Sequence, residues 1–381
     1  MTSTSRATKR TDPEVVLARY QAALEVELRD ALGDAWAQTG NVPIVAEPLA
    51  EFAGQIEYHL GWRHADFSPA KSHPGKLLRP TLLLLASELA GGRVGMSDAE
   101  RADTVERALP AAACIELVHN FSLIHDDIED GDEERRHRPT MWKLWGIPHA
   151  INSGDGLFSL ARMRLWKLVD HGVDPVVVVR LAALLDRTCL ELCEGQYLDM
   201  RNEGQHDVTI ALYLEMIRRK TAALIACATE MGARIAAPDL NAVADELARF
   251  GAALGMAFQL RDDLLGIWSA EQLGKTPMGD LRRRKMTLPV IHALETANAA
   301  DRDLLLAFYS ASEVATDADV ANVLAVLERT GARNRVRKAL QREGDAALAA
   351  LDAAAGTADE AHEARDLLAS LVAFVTRAAQ Q

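Results

Sequence analysis

Long apolar runs, a surplus of basic residues and a cysteine framework are all missing from this chain. No stretch approaches the roughly 18 uncharged apolar residues of a membrane span; the run from Leu82 to Ala86 meets Glu88 almost at once. No stable membrane span is therefore expected. Asp and Glu number 55 against 42 Lys and Arg, a net charge of −13. With no overall basic field to draw a polyanion, generic nucleic-acid binding is excluded, although a local basic pocket stays open. The four cysteines, Cys114, Cys189, Cys193 and Cys227, lack CxxC spacing and lie in apolar, helix-like sequence. Neither a zinc site nor a disulfide scaffold is expected of them, and a reducing cytoplasm suits them. Cys189 and Cys193 share one helix face, where core packing is the expected role. A Ser/His/Asp or Cys/His arrangement for nucleophilic catalysis is also absent.

What the chain does have is helical periodicity. From Val15 onward apolar residues recur at spacings of three and four, Ala and Leu abound, and β-branched alternation is scarce, which predicts an all-α protein. Breaks are expected at 40–48, 64–75, 91–95, 131–139, 172–175, 203–208, 236–240 and 273–281, where Gly, Pro and polar residues cluster. Val176 to Val179 has strand character but begins a long segment reaching Asp199, so helix is expected there. The breaks are short, as between packed antiparallel helices, so a single large helical bundle over residues 13–381 is expected in place of two domains. Residues 1–12 are rich in Ser, Thr and basic side chains with no apolar segment following; a disordered tail is expected, not a secretory signal.

Chemistry enters at the end of the apolar stretch from Ala111 to Ile124, which runs into Asp126, Asp127, Ile128, Glu129 and Asp130. On a helix Asp126 and Asp130 stand one turn apart on one face, where carboxylates repel unless a cation lies between them. If the helix stops there, its dipole adds to the cost. Hard carboxylate oxygens suit Mg²⁺, which keeps several waters and bridges to phosphates. A second acidic pair, Asp262 and Asp263, follows on another apolar segment and is succeeded by Leu264, Leu265 and Gly266. Two such groups point to a metal site. Cations accompany them: Arg135, Arg136 and Arg138 follow the first acidic group, and Gly75, Lys76 and Arg79 open another helix. Guanidinium forks and free helical N–H groups both match phosphate oxygens. Lys220 and Thr221 interrupt a further apolar stretch, where a buried lysine demands an anionic partner.

Taken in order, these segments resemble the all-trans polyprenyl diphosphate synthases of the class I isoprenoid synthase fold. The resemblance runs from about Tyr58 to Leu294. It rests on GKLLRP at Gly75 to Pro80, ELVHNFSLIHDDIED at Glu116 to Asp130, RRHRPT at Arg135 to Thr140, INSGD at Ile151 to Asp155, GQYLD at Gly195 to Asp199, KT at Lys220 and Thr221, and FQLRDD at Phe258 to Asp263. It implies a homodimer of helical bundles, each with a deep apolar cavity roofed by two facing acidic motifs. Asp126 and Asp130, supported by Asp127, match ligands of two Mg²⁺ ions on an allylic diphosphate, and Asp262, with Asp263 beside it, matches the site of a third; Mn²⁺ is the alternative metal. Arg135, Lys220, Thr221, Gln259 and Lys275 match groups that grip the allylic diphosphate. Gly75, Lys76, Arg79, His119 and Arg136 match the pocket for isopentenyl diphosphate. Asp126, Asp127, Asp130, Arg135, Lys220 and Asp262 then carry catalysis: ionisation of the allylic C–O bond, attack by the isopentenyl double bond, and loss of a proton.

Chain length in this family depends on the helix before the first acidic motif. Phe121 and Ser122 occupy its floor positions, a combination resembling enzymes that stop at geranylgeranyl diphosphate; farnesyl and longer products are the alternatives. A terpene cyclase on the same fold and a non-catalytic subunit of a heteromeric synthase are further alternatives. Intact isopentenyl-pocket residues oppose the first, and the intact DDIED opposes the second. Two positions depart from the family pattern: His137 stands where Gly often follows the arginine pair, and Gly266 stands where the second acidic motif usually ends in Asp. Glu271 and Asp280 are the acids available to compensate.

Overall fold

The computed structural model describes residues 11–39, 43–70, 75–268 and 278–377, and these are almost wholly helical. In chain order the helices are α1 (Pro13–Ala18), α2 (Gln21–Thr39), α3 (Pro43–His59), α4 (Leu78–Arg93), α5 (Asp98–Glu129), α6 (Met141–Trp145), α7 (Ile147–Trp166), α8 (Pro175–Asn202) and α9 (Ile210–Ile217). A π-helical segment, Arg218–Ala222, leads into α10 (Ala223–Ala236). Then follow α11 (Asn241–Trp268), α12 (Gly279–Arg282), α13 (Leu288–Thr296), α14 (Ala299–Ser310), α15 (Asp317–Arg329), α16 (Ala332–Ala355) and α17 (His362–Thr376). The all-α expectation holds, including the helix through Val176 to Val179. Among the described residues the sole sheet is a two-stranded hairpin, β1 (Glu134–Arg135) with β2 (Arg138–Pro139), antiparallel.

Two expected breaks need correction. The break over 40–48 overlaps α3, which begins at Pro43 and carries Pro48 inside it; proline removes one hydrogen bond there without ending the helix. The break over 273–281 lies mostly outside the described residues, and its last positions belong to α12. No cysteine is in a disulfide; Cys114, Cys189 and Cys227 are buried and Cys193 is exposed, so core packing accounts for the first three only. No helix among the described residues is long and apolar enough to cross a membrane.

The helices group into two compact units. One combines Met1–Asp186, Cys227–Asp245 and Ala354–Leu368; the other combines Arg187–Ala226, Glu246–Ala353 and Ala369–Gln381. In the first, α5 packs on both α4 and α7. The run Leu82 to Leu85 of α4 and the residues Ala111 to Ile115 of α5 are fully buried, so these two helices are apolar around most of their circumference, as interior helices are. A capping box fixes the start of α5: the Ser97 hydroxyl accepts from the Glu100 N–H, and the Glu100 carboxylate accepts from the Ser97 N–H. In the second unit Ile267, Leu281, Val290, Leu305, Val323 and Val326 form the core, which anchors the end of α11 and the start of α13.

Helix approach in the first unit also depends on Gly232 of α10. A Cβ there would collide with the Leu83 carbonyl oxygen and lie 3.0 Å from its carbon, and backbone in a packed core has little room to move. Gly232→Ala is expected to destabilise the fold by about 1–3 kcal/mol, seen as a lower urea midpoint at unchanged slope; an unchanged midpoint would show that α4 and α10 separate freely.

Candidate active site

The first acidic motif forms the last turn of α5. Asp126 lies in that turn and Asp130 is its C-cap, with the Asp130 N–H donating to the Asp126 carbonyl at 2.8 Å. Gly131, at φ 65°, then reverses the chain. Its N–H donates to the Ile128 carbonyl and that of Asp132 to the Asp127 carbonyl at 3.0 Å, the paired bonds of a Schellman ending, which favours glycine at this position. The Asp132 carbonyl in turn accepts from the Thr140 hydroxyl and the Trp142 indole, both at 2.9 Å. The loop that carries the arginines is thereby tied to the acidic turn.

Within the turn the acids differ. Asp127 is buried and accepts from the Arg135 Nε at 2.7 Å. Burial pushes its carboxyl up to about 6 against the opposing pull of Arg135. Asp130 is exposed and Asp126 half-buried, so Asp127 orients Arg135 while its neighbours on either side carry the accessible oxygens. Among the described residues no group of three or more His, Cys, Asp or Glu side chains is placed to hold a metal ion by itself. The donor set nonetheless fits Mg²⁺, which typically takes one or two carboxylates and completes its shell with water and phosphate oxygens.

The cationic half of this unit assembles from three separate segments. Gly75, at φ 121°, admits the Arg136 guanidinium: a Cβ would come 2.8 Å from its Nη2. The glycine of GKLLRP and the second arginine of RRHRPT are therefore one contact. Arg136 and His137 both have positive φ, 53° and 60°, as the two central residues of a tight hairpin between β1 and β2 require. That geometry explains why glycine suits position 137, and His137 meets it with a side chain present. Arg138 stacks over the Tyr58 ring at 4.0 Å and donates to the Arg63 carbonyl at 2.7 Å. Tyr58, His59, Arg135, Arg136, Arg138 and Pro139 border a cleft with no carboxylate in its lining. Burial and the surrounding Arg79, Arg136 and Arg135 hold the His119 ring far below the usual histidine range, and His59 falls to about 3 from burial and from Arg135, Arg136 and Arg138. Both rings are neutral beside guanidinium groups, an arrangement suited to an anion.

Residue types alone did not single out Glu116, Asn120 or His59. Glu116 is 3% exposed, and the Asn120 amide donates to its Oε1 at 3.0 Å and to its carbonyl at 2.8 Å. A charged residue inside the apolar run from Ala111 to Ile124 was the available signal. INSGD also acquires a role: Ser153 donates to Gln55 Oε1 at 3.3 Å, and a Cβ on Gly154 would meet the His125 ring, 2.5 Å from Cδ2. Phe121 packs edge-on to Phe158 of α7, centroids 5.1 Å apart, and to His125 at 5.8 Å. The Ser122 hydroxyl donates to the His119 carbonyl at 2.8 Å.

The second unit holds the other group. Asp262 and Gln259 are half-buried on α11, whereas Asp263 is 1% exposed. The Asp263 carboxylate accepts from the Tyr213 hydroxyl at 2.6 Å, from the Gln259 amide at 3.2 Å and from the Leu288 N–H at 3.3 Å. With both oxygens so engaged, and burial pushing its carboxyl up to about 7, Asp263 ties α9, α11 and α13 together and differs from the accessible ligand expected of it. The Thr221 hydroxyl donates to Gln259 Oε1 at 3.1 Å, extending the network to the π segment, a geometry frequent at functional sites. Lys220 meets its expected anion: Nζ lies 2.6 Å from Asp199 Oδ2. Gly195 makes this possible, since a Cβ there would overlap the Lys220 backbone, 2.7 Å from its Cα. GQYLD and KT are thus two sides of one close crossing. Lys275 and Glu271 lie outside the described residues.

Glu116 provides a test of the cationic cluster. Burial raises its carboxyl from 4.5 to about 7, with Arg79, Asn120 and Arg136 pulling the other way. A raised carboxyl contributes stability that is complete below its unfolded value and is lost as pH rises to about 7. Between pH 4.5 and 7.5 the native chain should lose about 1–3 kcal/mol more than Glu116→Gln does, measured by urea unfolding at both values; parallel losses would place Glu116 in a solvated setting.

A family model described as polyprenyl synthetase matches residues 67–327, well over half of the chain. The geranylgeranyl diphosphate synthase of Mycobacterium tuberculosis is 42% identical over 314 residues, 82% of this chain and 84% of that protein. The (2E,6E)-farnesyl diphosphate synthase of Mycobacterium bovis is 41% identical over 281 residues, 73% of this chain and 74% of that one. Among solved structures, a polyprenyl synthetase from Streptomyces coelicolor A3(2) superposes with a TM-score of 0.81 at 35% identity, over 96% of this chain and 99% of that one. A geranylgeranyl pyrophosphate synthase from Corynebacterium glutamicum, complexed with isoprenyl diphosphate and magnesium, gives 0.76 at 25% identity, over 94% and 99%. On the family match, the identity to these relatives and the shared helical fold, the chain belongs to the polyprenyl synthetase family and is a prenyl diphosphate synthase, a prenyltransferase of the isoprenoid synthase fold.

Proposed function

We propose that this synthase joins isopentenyl diphosphate to an allylic diphosphate and stops at geranylgeranyl diphosphate, with residues 13–381 acting as one catalytic domain. The observation that carries the product length is Phe121, which stands on the α5 face leading up to Asp126 and is braced by Phe158. An aromatic pair spanning α5 and α7 resists displacement by a growing prenyl tail, whereas the small Ser122 beside it leaves room. The relative of 42% identity that bears the geranylgeranyl name agrees, although a farnesyl synthase at 41% shows that identity alone does not decide length.

Residue roles are assigned as the family resemblance implies. Asp126, Asp130 and Asp262 are assigned to Mg²⁺ held on the allylic diphosphate, three ions in all, with Mn²⁺ as substitute. When bound, the metal supplies positive charge that stabilises the departing diphosphate. Arg135, oriented by Asp127, and Lys220, oriented by Asp199, add fixed positive charge to the same leaving group; Thr221 and Gln259 donate polar groups beside them. The allylic C–O bond breaks with its electron pair on oxygen, the isopentenyl double bond attacks the resulting cation, and the proton lost from the isopentenyl unit passes to the released diphosphate. Lys76, Arg79, Arg136 and neutral His119 are assigned to the isopentenyl diphosphate.

A homodimer is part of the proposal. On α7 the apolar residues Ile147, Ile151, Met163 and Trp166 are 44–49% exposed, and exposed apolar surface of this kind marks protein interfaces. Four cysteines with no disulfide among them favour a cytoplasmic setting.

Purified protein with Mg²⁺, isopentenyl diphosphate and dimethylallyl, geranyl or farnesyl diphosphate should yield C20 alcohol after dephosphorylation and chromatography. Asp126→Ala should lower turnover on the order of 10²-fold or more, and Phe121→Ala should shift product beyond C20. Cyclic hydrocarbon formed without isopentenyl diphosphate would overturn the condensation, and unchanged product length in Phe121→Ala would overturn the floor assignment.

A further inference from the structure

The second acidic motif carries Gly266 one turn beyond Asp262, and another residue fills the space its side chain would take. A Cβ built on Gly266 would fall against the Asp280 carboxylate, 2.5 Å from Cγ and 3.1 Å from Oδ1, with Oδ2 nearer still. Asp280 belongs to α12, and its side chain is 16% exposed. Arg283 Nη2 lies 3.6 Å from Oδ1, and the Asp280 carbonyl accepts from the Lys285 N–H at 2.9 Å, closing the turn that leads to α13. The Asp280 backbone is therefore fixed, and its Oδ2 faces the bare backbone of α11 within the same unit. Only a glycine admits it there: any side chain at 266 and the carboxylate of Asp280 compete for one volume.

We infer that Asp280 supplies the carboxylate that position 266 lacks, so that Asp262 and Asp280 together form the working acidic pair of the second motif toward diphosphate-bound Mg²⁺. This rests on the proposed function above. In DDIED the two acids come from one helix and their spacing follows from helical geometry. Here the second acid comes from a neighbouring element, and its position depends on the notch at Gly266. The glycine is thus coupled to the acid: it is the condition for Asp280 to reach the surface of α11.

That coupling makes distinctive predictions. Gly266→Ala meets only the far end of a short side chain, so Asp280 swings away with little loss of stability and the variant should behave like Asp280→Ala. The two substitutions combined should be no worse than either one, because they remove the same carboxylate. Restoring an acid on α11 in the absence of its competitor, Gly266→Asp with Asp280→Ala, should recover function.

The test is Mn²⁺ binding in the presence of inorganic pyrophosphate, read by the electron paramagnetic resonance of free Mn²⁺, with circular dichroism melting as the check on folding. Asp280→Ala, Gly266→Ala and their combination should each weaken the weakest-held Mn²⁺ about tenfold, and Asp280→Asn, which keeps the shape, should do the same. The combination Gly266→Asp/Asp280→Ala should return to within about twofold of the native chain. Native-level binding in both Asp280→Ala and Asp280→Asn, or additive losses in the alanine pair, would overturn the inference while leaving the enzyme assignment intact. A native chain that retains no Mn²⁺ with pyrophosphate would instead overturn the assignment of metal to the acidic motifs.

Discussion

Four carboxylates within five residues, Asp126, Asp127, Glu129 and Asp130, stand at the C-terminal end of a 32-residue helix. There the aligned peptide dipoles already place partial negative charge. Like charges one turn apart repel, and the dipole adds to the repulsion. The surrounding structure reads as a set of answers to this concentration of charge. Asp127 turns inward onto Arg135. The Schellman ending at Gly131 and the clasp of Thr140 and Trp142 on the Asp132 carbonyl stop the turn from fraying. What stays accessible at Asp126 and Asp130 is hard oxygen suited to a divalent ion.

The family motifs are largely half-contacts that become intelligible only in pairs. Gly75 exists for the guanidinium of Arg136, Gly195 for the backbone of Lys220, Gly154 for the ring of His125 and Gly266 for the carboxylate of Asp280. In each case one segment gives up its side chain so that a charged or polar group from another segment can lie against its backbone. A site that must hold two diphosphates needs cations fixed in position, and long side chains are entropically costly to fix. Seating one against bare backbone, as Arg136 is at Gly75, is one way to do it. Salt bridges do the rest: Arg135 with Asp127 and Lys220 with Asp199 present cations whose rotamers are already restricted, which preorganises them for an anionic substrate.

Much of this was legible in the amino-acid sequence. Helical periodicity identified the all-α architecture, and the end of the apolar run at Ile124 located the acidic turn. Lys220, partly buried, announced an anionic partner, although the sequence did not name Asp199, because the two are 21 residues apart on separate segments. The split between Asp262 and Asp263 was also available: Leu260, Asp263, Leu264 and Ile267 share the buried stripe of α11, so the second acid had to face inward and find internal donors. Pro48 looked like a break but lies within a helix. The family pattern marked position 137 as one where Gly is usual, but the histidine itself carries no sign of the left-handed backbone found there. Asp280 was available as a candidate acid, but its contact with the bare backbone at Gly266 was out of reach, because glycine has no side chain to advertise it.

We propose that the end of α5 tolerates electrostatic repulsion in the free protein in return for cation and diphosphate binding. Thermal unfolding of the native chain and of Asp130→Asn, each with chelator and with Mg²⁺ plus inorganic pyrophosphate, tests it most directly. Removing one accessible charge should raise the melting temperature of the metal-free protein slightly, by about 1–2 °C, while abolishing most of the stabilisation that Mg²⁺ and pyrophosphate confer on the native chain. A metal-free Asp130→Asn that melts lower than the native chain and still gains the full stabilisation from Mg²⁺ and pyrophosphate would contradict it.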